Sequence, residues 1–88
     1  MEKRFFTYAI QSMKDGRIYV GMSYRPDIRL REHNSGRVSS TRYYRPWNMI
    51  YCVEFETRML ARKEEKRLKS GYGKEFLKNI SHSGVAQW

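Results

Sequence analysis

Two tyrosines, an arginine and a histidine of the sequence are of types that can bind an anion and move a proton. Tyr8 and Tyr19 lie in two runs of β-favouring residues, where alternate side chains share one face of a sheet. Arg29 and His33 are four residues apart, so a helix would make a guanidinium and a titratable imidazole neighbours. These side chains could therefore hold a negatively charged group beside a proton acceptor.

An acidic pair, Glu64 and Glu65, interrupts the basic stretch 62–67. A carboxylate there could be a metal ligand or a surface ion-pair partner of a lysine or arginine four residues away. The other candidates also have ordinary interpretations, because strand tyrosines usually pack against neighbours, a helical arginine is usually a solvated charge, and a lone histidine is usually a helix surface or core residue. Only the combination of all these residues favours a functional site.

A β-hairpin is expected to position the tyrosines, because two aromatic runs flank the turn signal Asp15-Gly16. A two-residue turn would place Tyr8 opposite Ser23. Partners across a hairpin share a face, as do alternate residues of one strand. Tyr8 and Tyr19 are therefore predicted to project from the same side of the sheet.

The chain is predicted to form one α+β domain, a small three-stranded sheet flanked by helices in the order β-β-α-β-α-(α). Pro26 suits a first helical turn, Gly36 a left-handed helix end and Thr57 an N-cap, whereas Gly71 and Gly73 are expected to break the helical region. The predicted elements are strands over 5–12 and 18–23, a helix over 26–35, a strand over 47–55, a helix from 58 to about 70, and a short helix over 74–80. The domain is assigned to 1–80 and a flexible C-terminal tail to 81–88.

The composition is strongly basic. Eighteen Lys and Arg against nine Asp and Glu give the 88-residue chain a net charge of +9, with the cations spread from Lys3 to Lys78. Such a surface attracts polyanions, because binding releases the counterions condensed on a nucleic acid. The predicted loop 37–46 interleaves cations with aromatic rings at Arg42, Tyr43, Tyr44 and Arg45. This pattern suits backbone contact with base stacking, although the two tyrosines could equally close over the core.

Other classes of protein are excluded by what the sequence contains. Cys52 is the single cysteine, so an intramolecular disulfide or a cysteine-based zinc site cannot form, and an inert thiol is expected. Nothing approaches the roughly 20 apolar residues that span a bilayer, and the first residues lack the apolar core of an export signal. We therefore expect no membrane association and a cytoplasmic location.

Short runs of the sequence follow one another in a characteristic order, namely Tyr8-Ala9-Ile10, Ile18-Tyr19-Val20-Gly21, 29–36, Arg45-Pro46-Trp47 and 65–73. In this order they resemble the GIY-YIG nuclease family, and most closely its small stand-alone bacterial group related to the amino-terminal domain of an excision-repair nuclease. The resemblance covers about residues 5–77. Two departures are plain: no Gly-Ile precedes Tyr8, and Met22 stands where the excision-repair branch has a lysine.

The resemblance implies a metal-dependent endonuclease whose catalytic residues are Tyr8, Tyr19, Arg29, His33 and Glu65. Glu65 would hold a single Mg²⁺ or Mn²⁺ with waters, and it is preferred over Glu64 because it keeps the family's spacing from Ala61. Tyr19 would be the general base, with Tyr8 positioning or sharing the proton. A tyrosine base needs nearby positive charge, for which the candidates are His33, Arg29 and the metal. Arg29 would also bind the scissile phosphate.

Nucleic-acid contacts are expected at Gly21, Arg25, Arg42, Tyr43, Arg45 and Lys69. Gly21 would let a phosphate approach the sheet, although it could equally be a simple strand-end glycine. DNA is favoured over RNA, in repair or recombination, for a monomer or weak dimer whose specificity a protein partner would supply. The alternatives are a non-catalytic nucleic-acid-binding module on the same scaffold and a basic ribosome-associated protein.

Overall fold

The computed structural model describes residues 4–82 and confirms the α+β class and the predicted order of elements. The elements are β1 (Phe5–Ser12), β2 (Ile18–Ser23), α1 (Pro26–Ser35), a 3₁₀ turn (Arg42–Tyr44), β3 (Trp47–Phe55), α2 (Arg58–Lys69) and α3 (Gly71–His82). The three strands form one antiparallel sheet in the order β2-β1-β3, with β1 in the centre.

The hairpin register differs from the prediction. Tyr8 pairs with Gly21, not with Ser23, because the connection is longer than two residues: Ser12 N–H donates to the Arg17 carbonyl at 2.8 Å across the loop 13–16. The hydroxyl of Ser12 accepts hydrogen bonds inside this loop, from the backbone of Lys14 at 3.0 Å and of Asp15 at 3.3 Å, and stabilises it. The shift is an even number of residues, so Tyr8 and Tyr19 still share a face.

The two faces of the sheet carry separate cores. On one face, Ala9, Val20 and Ile50 pack against Leu68 of α2 and Leu77 of α3. Beside this core the Thr7 hydroxyl donates to the backbone carbonyl of Ala61 in α2 at 2.7 Å. On the other face lie α1 and the 3₁₀ turn, whose side chains contact the core formed by Tyr8, Ile10, Trp47 and Met49. The candidate residues of β1, β2 and α1 are thus on the opposite face from α2.

The helix ends follow the sequence signals for α1 and α2. Pro26 opens α1, and Gly36 ends it with φ of 88°. Thr57 caps α2 by accepting a hydrogen bond from the backbone of Leu60 at 3.2 Å. These three predictions are confirmed.

The last helix begins earlier than predicted. α3 starts at Gly71 and runs to His82, and the hydroxyl of Ser70 caps it by accepting from the backbone of Gly73 at 3.2 Å. A Cβ at position 73 would lie 2.2 Å from the Arg67 carbonyl oxygen, so glycine permits the close approach of α3 to the end of α2. Gly71 and Gly73 therefore belong to the helix. The predicted tail overlaps α3 at its first two residues, and 83–88 lies outside the described residues.

Candidate active site

A chain of hydrogen bonds lies beneath α1. The Tyr8 hydroxyl is 2.9 Å from His33 Nε2, and His33 Nδ1 is 2.8 Å from the Thr41 hydroxyl. The Thr41 hydroxyl also faces the Val38 carbonyl at 3.4 Å, which can only accept. We therefore assign the proton of the imidazole to Nδ1, so that Nε2 accepts from the Tyr8 hydroxyl. Tyr8, His33 and Thr41 are all at most 1% exposed.

Thr41 is the member of this chain that sequence reasoning missed. It precedes the 3₁₀ turn, and its backbone is held by the Val38 carbonyl at 3.1 Å and by the Trp47 indole, which donates to the Thr41 carbonyl at 3.0 Å. These contacts fix the hydroxyl beside His33. The segment 37–46 has no periodicity that would mark a buried residue, so only the position before the turn could have drawn attention to it.

Burial dominates the proton affinities of this chain. It raises the pKa of Tyr8 to about 12, although a hydrogen bond from Arg29 acts in the opposite direction. Burial and then the charge of Arg29 lower the pKa of His33 from 6.5 to about 4. His33 is consequently neutral at pH 7, and the expectation that it could supply positive charge to a tyrosine is wrong. Arg29 is the cation that faces Tyr8.

Tyr19 and Gly21 complete this face of the hairpin. The Tyr19 ring lies 5.0 Å from the His33 ring and 6.5 Å from the Trp47 indole, centroid to centroid. A Cβ on Gly21 would be 2.7 Å from the Tyr8 hydroxyl oxygen and 3.2 Å from Tyr19 Cε1. Gly21 is inside β2, which continues to Ser23, so it is not a strand-end glycine. Glycine at this position lets both phenol rings lie over the strand.

Arg29 lies at an open cleft. Its guanidinium donates to Glu32 at 2.9 Å and hydrogen-bonds the Tyr8 hydroxyl, while its side chain remains 36% exposed. The cleft, of about 340 Å³, is at the Ser23 end of β2 and is also lined by Arg58, the first residue of α2. Two guanidinium groups from helices on opposite faces of the sheet thus meet at one edge, an arrangement suited to an anion. Arg58 was not among the residues predicted from the sequence.

The two glutamates of α2 are used differently. Glu64 accepts hydrogen bonds from the Tyr51 hydroxyl and, at 2.7 Å and 2.8 Å, from Arg67, whose guanidinium lowers the pKa of this carboxyl. Glu65 accepts from Lys69 at 2.9 Å and lies 4.0 Å from Arg62. Tyr51 is on β3. Successive helix residues are about 100° apart, so the two carboxylates point in different directions: Glu64 toward Tyr51 on β3, and Glu65 toward Lys69.

The structure therefore brings Tyr8, Tyr19, Arg29 and His33 together, whereas Glu65 is on α2, which packs on the other face of the sheet. Lys69, the partner of Glu65, lines one groove with Tyr19, so the carboxylate and this phenol belong to the same edge. Within residues 4–82 no three His, Cys, Asp or Glu side chains are grouped as metal ligands. A single carboxylate such as Glu65 is the type of ligand that Mg²⁺ takes together with waters, and a cation bound there would replace Lys69 as its partner.

The predicted nucleic-acid contacts fall at several places. Arg42, Tyr43 and Arg45 line a shallow groove of about 400 Å³, where the Tyr43 ring is 71% exposed and lies 5.8 Å from the Arg42 guanidinium carbon. Tyr44 instead packs against the core, with the guanidinium of Arg17 3.5 Å from its ring centre. Tyr44 therefore closes over the core, and the exposed Tyr43 stays a prediction for base stacking.

Arg25 lies apart from that shallow groove. It lines a larger groove of about 640 Å³, whose base is made by the apolar side chains of Phe6, Leu30 and Met49. Cys52 is partly buried, and burial raises the pKa of its thiol to about 11, as expected for an inert cysteine. In the described range 4–82 no helix has the length and apolar character needed to cross a bilayer.

The domain thus has a buried chain of hydrogen-bonded phenol and imidazole groups, a cleft lined by two arginines and a strongly basic composition, which suit contact with a phosphate group. The chain matches the GIY-YIG catalytic domain over residues 4–79. It is also 34% identical over 84 residues to a protein of Enterococcus faecalis named UPF0213 protein, a match that spans 89% of this chain and 96% of the relative. The protein belongs to the GIY-YIG family, whose members are endonucleases acting on nucleic acid.

Proposed function

We propose that the protein is a Mg²⁺- or Mn²⁺-dependent endonuclease that hydrolyses phosphodiester bonds in DNA. The observation that carries the proposal is the buried chain from Tyr8 through His33 to Thr41, placed beside Tyr19 and Arg29. Nucleic-acid binding by itself requires neither a proton acceptor nor a neutral imidazole oriented by a second hydroxyl. This chain therefore favours catalysis over a binding module on the same scaffold.

The two phenols have different uses in this mechanism. Tyr8 has a pKa raised to about 12 and donates a hydrogen bond to His33. Its oxygen therefore keeps lone pairs that can accept a hydrogen bond. Tyr19 is less deeply buried and reaches the groove along β2, so it is the candidate general base, which in its phenolate form would take the proton of the attacking water. Tyr8 would orient that water or the Tyr19 hydroxyl.

The two arginines would hold the scissile phosphate. Arg29 and Arg58 line one cleft, and each guanidinium can donate two parallel hydrogen bonds to phosphate oxygens. These contacts are worth more as charge accumulates on the phosphoryl oxygens, so they stabilise the transition state more than the ground state. Glu65 would hold the divalent cation, which when bound supplies Lewis-acid stabilisation of the leaving oxygen.

The biological setting stays a prediction. On the resemblance and the composition, we propose that the substrate is DNA and not RNA and that the protein acts in repair or recombination. We also propose that it is a monomer or weak dimer in the cytoplasm, with a protein partner that supplies specificity. The basic groove around Tyr43 supports an unpaired base or a flexible backbone as part of the substrate, because an exposed ring beside a guanidinium suits stacking.

The test compares neighbouring glutamates. Labelled single-stranded, duplex and branched DNA, and matched RNA, are incubated with the wild-type protein in Mg²⁺, Mn²⁺ or chelator. Glu65→Gln should abolish cleavage and leave binding largely intact, whereas Glu64→Gln should retain cleavage because its hydrogen bonds to Tyr51 and Arg67 are structural. Metal-independent activity, or equal loss of cleavage in both variants, would remove Glu65 from the site.

A further inference from the structure

A second basic groove lies on the α3 side of strand β2. This α3 groove, of about 420 Å³, has an apolar base that includes Leu77, and its cations come from the hairpin, from the end of α2 and from α3. They are Arg17, Lys69, Lys74 and Lys78. Among the described residues that line it there is no carboxylate. Tyr19 lies along its side, so the groove reaches the candidate general base.

Two of these cations lie one above the other on α3. Lys74 and Lys78 are four residues apart, so their side chains leave the same face of the helix as like charges that repel each other. Lys69 and Arg17 contact Glu65 at 2.9 Å and Asp15 at 2.8 Å, and neither of these carboxylates lines the groove. A polyanion in the groove would be attracted by all four cations.

We propose that the α3 groove binds the phosphate backbone of the nucleic acid on one side of the scissile phosphate, so that the substrate lies along the edge strand β2. The inference rests on the proposed function for the position of that phosphate. The arginine-lined cleft is at the Ser23 end of β2, and the α3 groove is at its Ile18 end. The sugar and phosphate groups match an apolar base with a cationic rim.

The length of β2 sets the size of this contact. Six residues from Ile18 to Ser23 extend about 17 Å at 3.3 Å per step. One strand of a nucleic acid rises about 3.4 Å per nucleotide along the helix axis, and its backbone is longer than that rise, so the distance between the cleft and the far end of the groove is covered by at most about five nucleotides.

The experiment measures binding without cleavage, in the full chain carrying Glu65→Gln. Fluorescent single-stranded and duplex DNA are titrated at several KCl concentrations, with Lys74→Gln/Lys78→Gln added to the background. The dependence of log K on log salt should become shallower by about 1.4 for a single strand and about 1.8 for a duplex, because two phosphate contacts are lost. With oligonucleotides of 4, 6, 8 and 12 nucleotides, affinity in the background should rise with length until the cleft and the α3 groove are both filled, and Lys74→Gln/Lys78→Gln should reduce this rise.

Lys63→Gln/Lys66→Gln is the matched control. Both lysines are exposed on α2 and lie on the side away from buried Ala61 and Leu68, so they change net charge equally without touching the groove. A shallower salt dependence of the same size in both double variants, or none in the Lys74/Lys78 variant, would overturn the proposal. Far-ultraviolet circular dichroism and thermal unfolding verify that each variant is folded.

The two proposals fail separately. If the wild-type protein binds DNA but cuts none of the substrates, the proposed nuclease function is refuted. The salt dependence of DNA binding by the Lys74→Gln/Lys78→Gln variant still tests the α3 groove. If the protein cuts DNA and the α3 lysines leave both the salt dependence and the length dependence unchanged, the groove falls and the nuclease function stands.

Discussion

Replacement of His33 by glutamine should remove a large part of the acid sensitivity of the fold. The pKa of His33 is about 4 in the folded protein and 6.5 without its surroundings. Between these pH values only the unfolded chain binds the proton. The contribution of neutral His33 to the free energy of unfolding is therefore fully present above pH 6.5 and is lost as the pH falls to about 4. At about 1.4 kcal/mol per pKa unit the total loss is about 3 kcal/mol, of which about 2 kcal/mol is lost by pH 5.

The assay is urea unfolding of wild type and His33→Gln at pH 7, 6, 5 and 4.5. Every other titratable group is common to both proteins, so the difference between their pH profiles isolates His33. The wild type should lose about 2 kcal/mol more than the variant between pH 7 and pH 5. Parallel profiles would mean that His33 takes up its proton at the same pH in the folded and unfolded chains, and the lowering of its pKa by burial and by Arg29 would then be refuted.

Three further substitutions test the site. Tyr19→Phe keeps the ring contacts with His33 and should slow cleavage by about 100-fold or more at unchanged thermal stability, measured in a single-turnover assay; an unchanged rate would exclude Tyr19 as the base. Thr41→Val leaves the buried imidazole N–H without its acceptor and should cost about 1–3 kcal/mol in urea unfolding. Gly21→Ala puts a methyl group 2.7 Å from the Tyr8 hydroxyl, so the thermal midpoint and cleavage should both fall, and wild-type values would show that the ring moves freely.

Local signals in the sequence predicted the elements well. Pro26, Gly36 and Thr57 mark helix ends through backbone preferences that hold whatever packs around them, so their predictions are confirmed. The common face of Tyr8 and Tyr19 is confirmed too, because it depends only on whether the register is shifted by an even or an odd number of residues.

Features set by tertiary contacts could not be predicted in this way. The hairpin loop has more residues than expected, and the Ser12 hydroxyl stabilises it. Gly73 lies within a helix, where it permits the close approach of α3 to the end of α2. The spacing of Arg29 and His33 predicted that they are neighbours, but the charge state of His33 depends on burial by residues distant in sequence. Thr41 was missed for the same reason: its partner is eight residues away.

The contacts that locate α2 are made by residues other than Glu65. The bond from Thr7 to the Ala61 carbonyl fixes the translation of this helix along the sheet, and the bond from Tyr51 to Glu64 fixes its rotation about its own axis. The orientation of position 65 is thus determined by neighbours and would be retained with another residue there. Under the proposed function, loss of the carboxylate at this position would therefore remove metal binding and leave the architecture of the domain unaltered.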